Sequence, residues 1–236
     1  PNIYFTPPPI TKNNHPSIDS IQFYTKKYTS EGFKHWKILG LPNKDYFDTL
    51  AKYTKEHQLK LVGHISKSVG IKESIMGGYS CIEHLQGYNK LLSDTLMFEE
   101  IIQLTKQKNT FNCATLDWYH ISYLQYSLNE IYSREYLKYI PKKTIVEWKK
   151  NMSSYLEELK TLSKDSLKSL NNSDSIYIAN KKLVLRKLFN SDCKLIISPD
   201  ANGMFQVPGF SMLNEMKLYE EIGIPKYNIL KMATLN

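Results

Sequence analysis

Four polar side chains stand at the ends of four apolar runs in this 236-residue chain: Lys37 near the end of 32–38, His64 closing 59–64, His84 closing 80–84 and Asp200 closing 193–200. Each run reads as a short buried strand, and the first three are followed by helix-like stretches. Parallel strands separated by helices would gather all four side chains at one end of one sheet. A lysine, two imidazoles and a carboxylate are costly to bury together unless they do chemistry there. The plainer readings are a lysine at an exposed strand end, two satisfied core histidines and an aspartate capping the turn after Pro199.

The elements that would position them alternate. Strands are expected at 2–6, 35–39, 59–65, 81–85, 110–116 and 193–197, each a short apolar or β-branched run bounded by turn residues. Between them, helical spacing covers 17–30, 45–58, 69–76 and 95–106, with Gly77-Gly78 stopping the third. Residues 120–190 read as almost wholly helical, with a polar break at 170–174. A loop at 203–209 and helices at 212–221 and 225–235 complete the chain. Six strands alternating with helices argue for an α/β fold with a parallel sheet. No Gly-rich phosphate turn follows any strand, which disfavours a doubly wound nucleotide-binding sheet. The expectation is a (β/α)8 TIM-type barrel, of which the chain holds roughly strands 3 to 8. That makes 1–236 a single barrel domain truncated at its N-terminus, because closure takes eight strands.

Composition narrows the partners. The formal net charge is +8. Nearly all of the positive charge is lysine, with Arg134 and Arg186 the sole arginines, so little could read phosphates or bases bidentately. No nucleic-acid partner is expected. No apolar run approaches the roughly 20 residues of a membrane helix. Cys81, Cys113 and Cys193 have no metal-ligand spacing and read as small buried hydrophobes. The lack of a disulfide framework slightly favours the cytoplasm and leaves an extracytoplasmic site open. A homo-oligomer is equally open.

Several segments in order resemble the amidohydrolase superfamily, in particular its imidazolonepropionase-like and Xaa-Pro-dipeptidase-like branch. Residues 7–15 resemble the loop after strand three, and 33–38 the strand-four segment with the metal-bridging lysine. His64, Gly70-Ile71, Gly77-Gly78 and 80–84 resemble the strand-five to strand-six unit. Ser198-Pro199-Asp200-Ala201 resembles the strand-eight metal aspartate, and 209–215 with 233–236 the helical tail. The His-x-His pair of strand one and the flanking β-sandwich have no counterpart in these residues.

The resemblance implies a metal-dependent hydrolase of an amide, cyclic amide or dipeptide C–N bond. It implies one or two divalent ions, zinc in the first instance, in a binuclear centre. Lys37 would be carboxylated and bridge the ions, a reaction open only to a neutral amine, which burial favours. His64 and His84 would ligate through imidazole nitrogens. Asp200 would ligate and act as general base. Glu83 is expected to point to the other side of its strand, and His35 to be structural. His15, Tyr119, His120, Pro208 and Gly209 are the candidate substrate contacts, with Trp118 and Tyr119 walling an apolar pocket. The competing reading is an inactive amidohydrolase-like barrel that serves as a binding or scaffold protein.

Overall fold

A computed structural model describes residues 5–201 and 203–235. The chain divides into two compact units. Among the described residues the first comprises 5–113 and 187–196, and the second 114–186, 197–201 and 203–235.

The first unit is built on a four-stranded, wholly parallel sheet. Its strands are β1 (His35–Ile38), β2 (Lys60–Gly63), β3 (Tyr79–Ile82) and β4 (Phe111–Asn112), lying side by side in chain order. The helices α1 (Ile21–Ser30), α2 (Lys44–Glu56), α3 (Ile71–Met76) and α4 (Thr95–Gln107) precede or connect them. Alternation sets the faces. Trp36 and Ile38 are buried while His35 and Lys37 are half-buried, so β1 turns its apolar face to the core and the other carries its polar residues. Trp36, Ile38 and Leu61 pack with Ile21, Phe47 and Leu50 in one core cluster. Each such side chain contributes about 1.5–3 kcal/mol on full burial. Asn43 caps α2 by accepting the Tyr46 amide, and Asp94 caps α4 by accepting that of Met97.

The outer expected strands are single parallel bridges. Of the strand expected at 2–6, residues 2–4 lie outside the described residues, and Phe5 and Thr6 carry no strand. The pairing falls instead on Ile10, after the prolines, which lack an N–H to donate. The Ile10 amide donates to Lys37 O (2.9 Å) and its carbonyl accepts from Leu39 (2.8 Å). The run 193–197 likewise contributes only the bridge Leu195–Asn112.

The strand expected over 110–116 stops at Asn112. Thr115 turns left-handed (φ 53°), and a helix starts at Leu116. This helix, α5 (Leu116–Ser122), belongs to the second unit with α6 (Leu128–Tyr132), α7 (Lys142–Lys160), most of α8 (Lys164–Asn190), α9 (Phe210–Glu221) and α10 (Lys226–Thr234). The expected break at 170–174 is absent, and α8 runs through it. No glycine or proline stands within 164–190, and Ser173 hydrogen-bonds the Leu170 carbonyl inside the helix (2.8 Å). The true break is at 161–163, where the Ser163 hydroxyl accepts the Ser166 amide (3.1 Å). Among the described residues no helix is long and apolar enough to cross a membrane.

Candidate metal centre

In the first unit, His64 directly follows β2. Gly63 brings it there. Its backbone is left-handed (φ 123°), and a Cβ at this position would run into the Ile38 carbonyl of β1. Only glycine allows that approach. The next residue is then fixed on both sides. The His64 amide donates to Ile38 O (2.8 Å), and its carbonyl accepts the Tyr79 hydroxyl (2.9 Å). The ring Nδ1 lies 3.2 Å from the Leu39 carbonyl, which can only accept. Nδ1 therefore carries the proton, and Nε2 presents a lone pair.

His84 arrives by a different route. β3 ends at Ile82, and Glu83–Leu85 is a tight turn rather than the end of a longer strand. His84 and Leu85 are both left-handed (φ 58° and 50°). Cys113 straps this turn, its amide donating to Ile82 O (3.2 Å) and its carbonyl accepting from Leu85 (3.0 Å). His84 is buried, and its Nε2 stands 3.0 Å from His64 Nε2, with the rings edge to face.

The turn overturns the expectation for Glu83. Strand alternation would send Glu83 and His84 to opposite faces, but alternation ends at Ile82. Ligand atoms of His64, Glu83 and His84 all lie within 4.8 Å of one another. Glu83 also accepts a hydrogen bond from Lys37 Nζ, whose strand brings it to the same place. The sequence signal for Glu83 was the adjacent Glu-His pair; what it lacked was the turn. His35 sits at the opposite end of β1, where burial and the neighbouring Lys60 lower its pKa. His15 is exposed, with its ring against Tyr46 (4.9 Å).

The second unit holds the other expected residues. Asp200 is left-handed (φ 50°), in the turn after Pro199, and its charge is felt by Tyr119. Tyr119 is buried among Trp118, Tyr123 and Tyr177, and the ammonium of the fully buried Lys181 sits 4.1 Å from its ring centre. Burial raises the Tyr119 pKa. His120 is buried, its Nδ1 2.8 Å from the Leu116 carbonyl, and burial lowers its pKa. Pro208 and Gly209 are exposed in the loop before α9. Two buried carboxylates were not anticipated. Asp117 pairs with both terminal nitrogens of Arg134 (2.8 and 3.1 Å), and Glu215 accepts the Leu116 and Asp117 amides (2.8 Å each).

No protein-family model and no curated protein sequence matches the chain. Solved structures do. Bottromycin amidohydrolase is similar over 94% of this chain and 49% of its own, with a TM-score of 0.67 at 16% identity. The A. niger ochratoxinase covers 94% of this chain and 42% of its own (0.56, 14%), and a Xaa-Pro dipeptidase with methionine bound in its active site 97% and 48% (0.54, 14%). All three are amidohydrolase-superfamily members. The chain is similar in fold to parts of these three structures. It spans about half the length of the amidohydrolases it matches. Of the residues that the amidohydrolase resemblance singled out, Lys37, His64 and His84 share one strand-end neighbourhood of the first unit, with Glu83 added to them.

Proposed function

We propose that the chain belongs to a metal-dependent amidohydrolase cleaving a C–N bond of an amide, cyclic amide or dipeptide. One observation carries this reading: two imidazole Nε2 atoms 3.0 Å apart, with a carboxylate oxygen in the same 4.8 Å cluster. Two lone pairs so close repel unless a proton or an ion lies between them, and the donor set suits a divalent ion such as zinc. The chain-order parallel sheet, flanked by bridges at Ile10 and Leu195, supports a (β/α)8 barrel.

His64 and His84 would hold the ion, with the Leu39 carbonyl fixing the His64 tautomer as an outer partner. A divalent ion there supplies polarisation of a substrate carbonyl and a lowered pKa for water. Lys37, once neutral, would form an N–C bond with carbon dioxide and release a proton, becoming a second anionic ligand. For that its hydrogen bond to Glu83 must be given up, leaving Glu83 to ligate. Asp200, on the resemblance, would take the proton of the attacking water and deliver it to the departing amine nitrogen. The Lys37–Glu83 pair also satisfies both charges without an ion, which is the observation favouring an inactive binding protein.

Metal analysis and turnover on an amide and dipeptide panel, measured on the same preparations, test the proposal. His64→Ala and His84→Ala should lose metal and activity together. Asp200→Asn should keep most of its metal while losing on the order of 10² to 10⁴ in rate. Lys37→Ala should lose metal, with partial rescue by short carboxylic acids. A protein that binds no divalent ion and hydrolyses none of the panel refutes the reading.

A further inference from the structure

The second unit contains a cavity of about 290 Å³ between α5, α7 and the loop that follows Asp200. Trp118 and Ile121 of α5, Met152 and Tyr155 of α7, and Met204 form its walls. Among the described residues no charged side chain lines it; the remaining lining groups are Ser122, Gly203 and Gln206. Trp118, Tyr155 and Met204 are each only half-buried.

Two features of the loop keep the cavity open. A Cβ on Gly203 would lie 3.0 Å from the Trp118 indole nitrogen and 2.9 Å from Gln206 Oε1, so any other residue there would push the indole aside. Gln206 is buried and ties the loop to itself, its Oε1 accepting the Gly203 amide (3.2 Å) and its Nε2 donating to Pro199 O (3.1 Å). The same bonds thus hold the pocket rim and the residue preceding Asp200.

We propose that this cavity is a specificity pocket for one uncharged apolar side chain, aromatic or thioether, of an amide or peptide ligand. The cavity is at the small end of ligand pockets, which run to about 300–1,000 Å³, and has room for one side chain. Indole, phenol and thioether walls match such a group through dispersion and sulfur–aromatic contacts. With no counter-charge, a lysine or aspartate side chain would be desolvated without a partner. That the ligand is an amide rests on the hydrolase reading; the choice of side chain does not.

The test separates the two. N-acetyl amides of phenylalanine, methionine, lysine and aspartate are titrated into chelator-treated protein and followed by ligand-observed NMR and tryptophan fluorescence. The phenylalanine and methionine amides should bind at least about tenfold more tightly than the charged pair. The Trp118→Phe variant should lose the fluorescence change, and His84→Ala should keep it. Met204→Asp should reverse the ranking in favour of the lysine amide. Equal affinities, no detectable binding, or a ranking unmoved by Met204→Asp overturns the pocket. Selective binding without turnover of matching substrates by the metal-loaded protein leaves the pocket standing and removes the hydrolase reading.

Discussion

Glu215 is fully buried, yet both its carboxylate oxygens serve backbone amides in the first turn of α5. Its pKa is set by two opposed causes. Burial outweighs the two amide hydrogen bonds, which pull the other way, and the net pKa is lifted from 4.5 to about 8. A carboxyl whose pKa is raised on folding contributes stability in full below its unfolded value and loses it as pH climbs through the folded one. The window is therefore from about 4.5 to about 8. Glu215→Gln removes the titration and offers only one acceptor for two amides, at a pH-independent cost of about 1–3 kcal/mol. Denaturant melts from pH 5 to 9 should show the variant less stable at the acid end, with the gap closing and then reversing as pH rises, because a pKa raised from 4.5 to about 8 costs the wild type on the order of 5 kcal/mol across that window. A gap constant with pH would remove Glu215 as the titrating group.

At the scale of elements, what positions the candidate ligands is the way strands end. β2 ends on Gly63, whose missing side chain lets His64 follow hard against β1; β3 ends in a left-handed turn that sets Glu83 and His84 to one place. Gly63→Ala adds both a backbone strain and a collision with the Ile38 carbonyl. Gly32 has a comparable φ (91°) with open space around it, so Gly32→Ala carries the strain alone, about 1–3 kcal/mol. Gly63→Ala should destabilise by more than Gly32→Ala and should weaken zinc affinity, which Gly32→Ala should not; calorimetry on both variants checks this. Equal losses would mean that Gly63 has no part in placing His64.

Such endings explain what could be read beforehand. The strands at 35–38 and 60–63 were legible because each is a short run rich in apolar residues bounded by turn residues, a local pattern. Lys37, His64 and His84 were legible because each follows such a run. Glu83 was not, because alternation extrapolates across a turn that Cys113, about 30 positions on, holds from outside. The start of α5 was missed for the same reason, since Glu215 accepts its first amides from 98 and 99 residues away. The break expected at 170–174 rested on exposed polar residues, which lower helix propensity by only tenths of a kcal/mol each.

For the whole molecule, the consequence of a metal centre is linkage. An ion that binds only the folded chain adds about 2.7 kcal/mol at a free concentration one hundred times its dissociation constant. The gain should be uneven, because the two units carry different parts of the proposed ligand set. Zinc should slow hydrogen exchange most at the His64 and Leu85 amides, which bond Ile38 O and Cys113 O in the first unit. If Asp200 also ligates, as the resemblance implies, residues 198–201 of the second unit should gain protection as well. Asp200→Ala should abolish that second gain while leaving part of the first, and His84→Ala should abolish both. Exchange measured by mass spectrometry on wild type and both variants, with and without zinc, decides among these outcomes. Protection in the first unit alone would confine the centre to Lys37, His64, Glu83 and His84. Protection unchanged by His84→Ala would place zinc elsewhere on the chain and end the case for the centre.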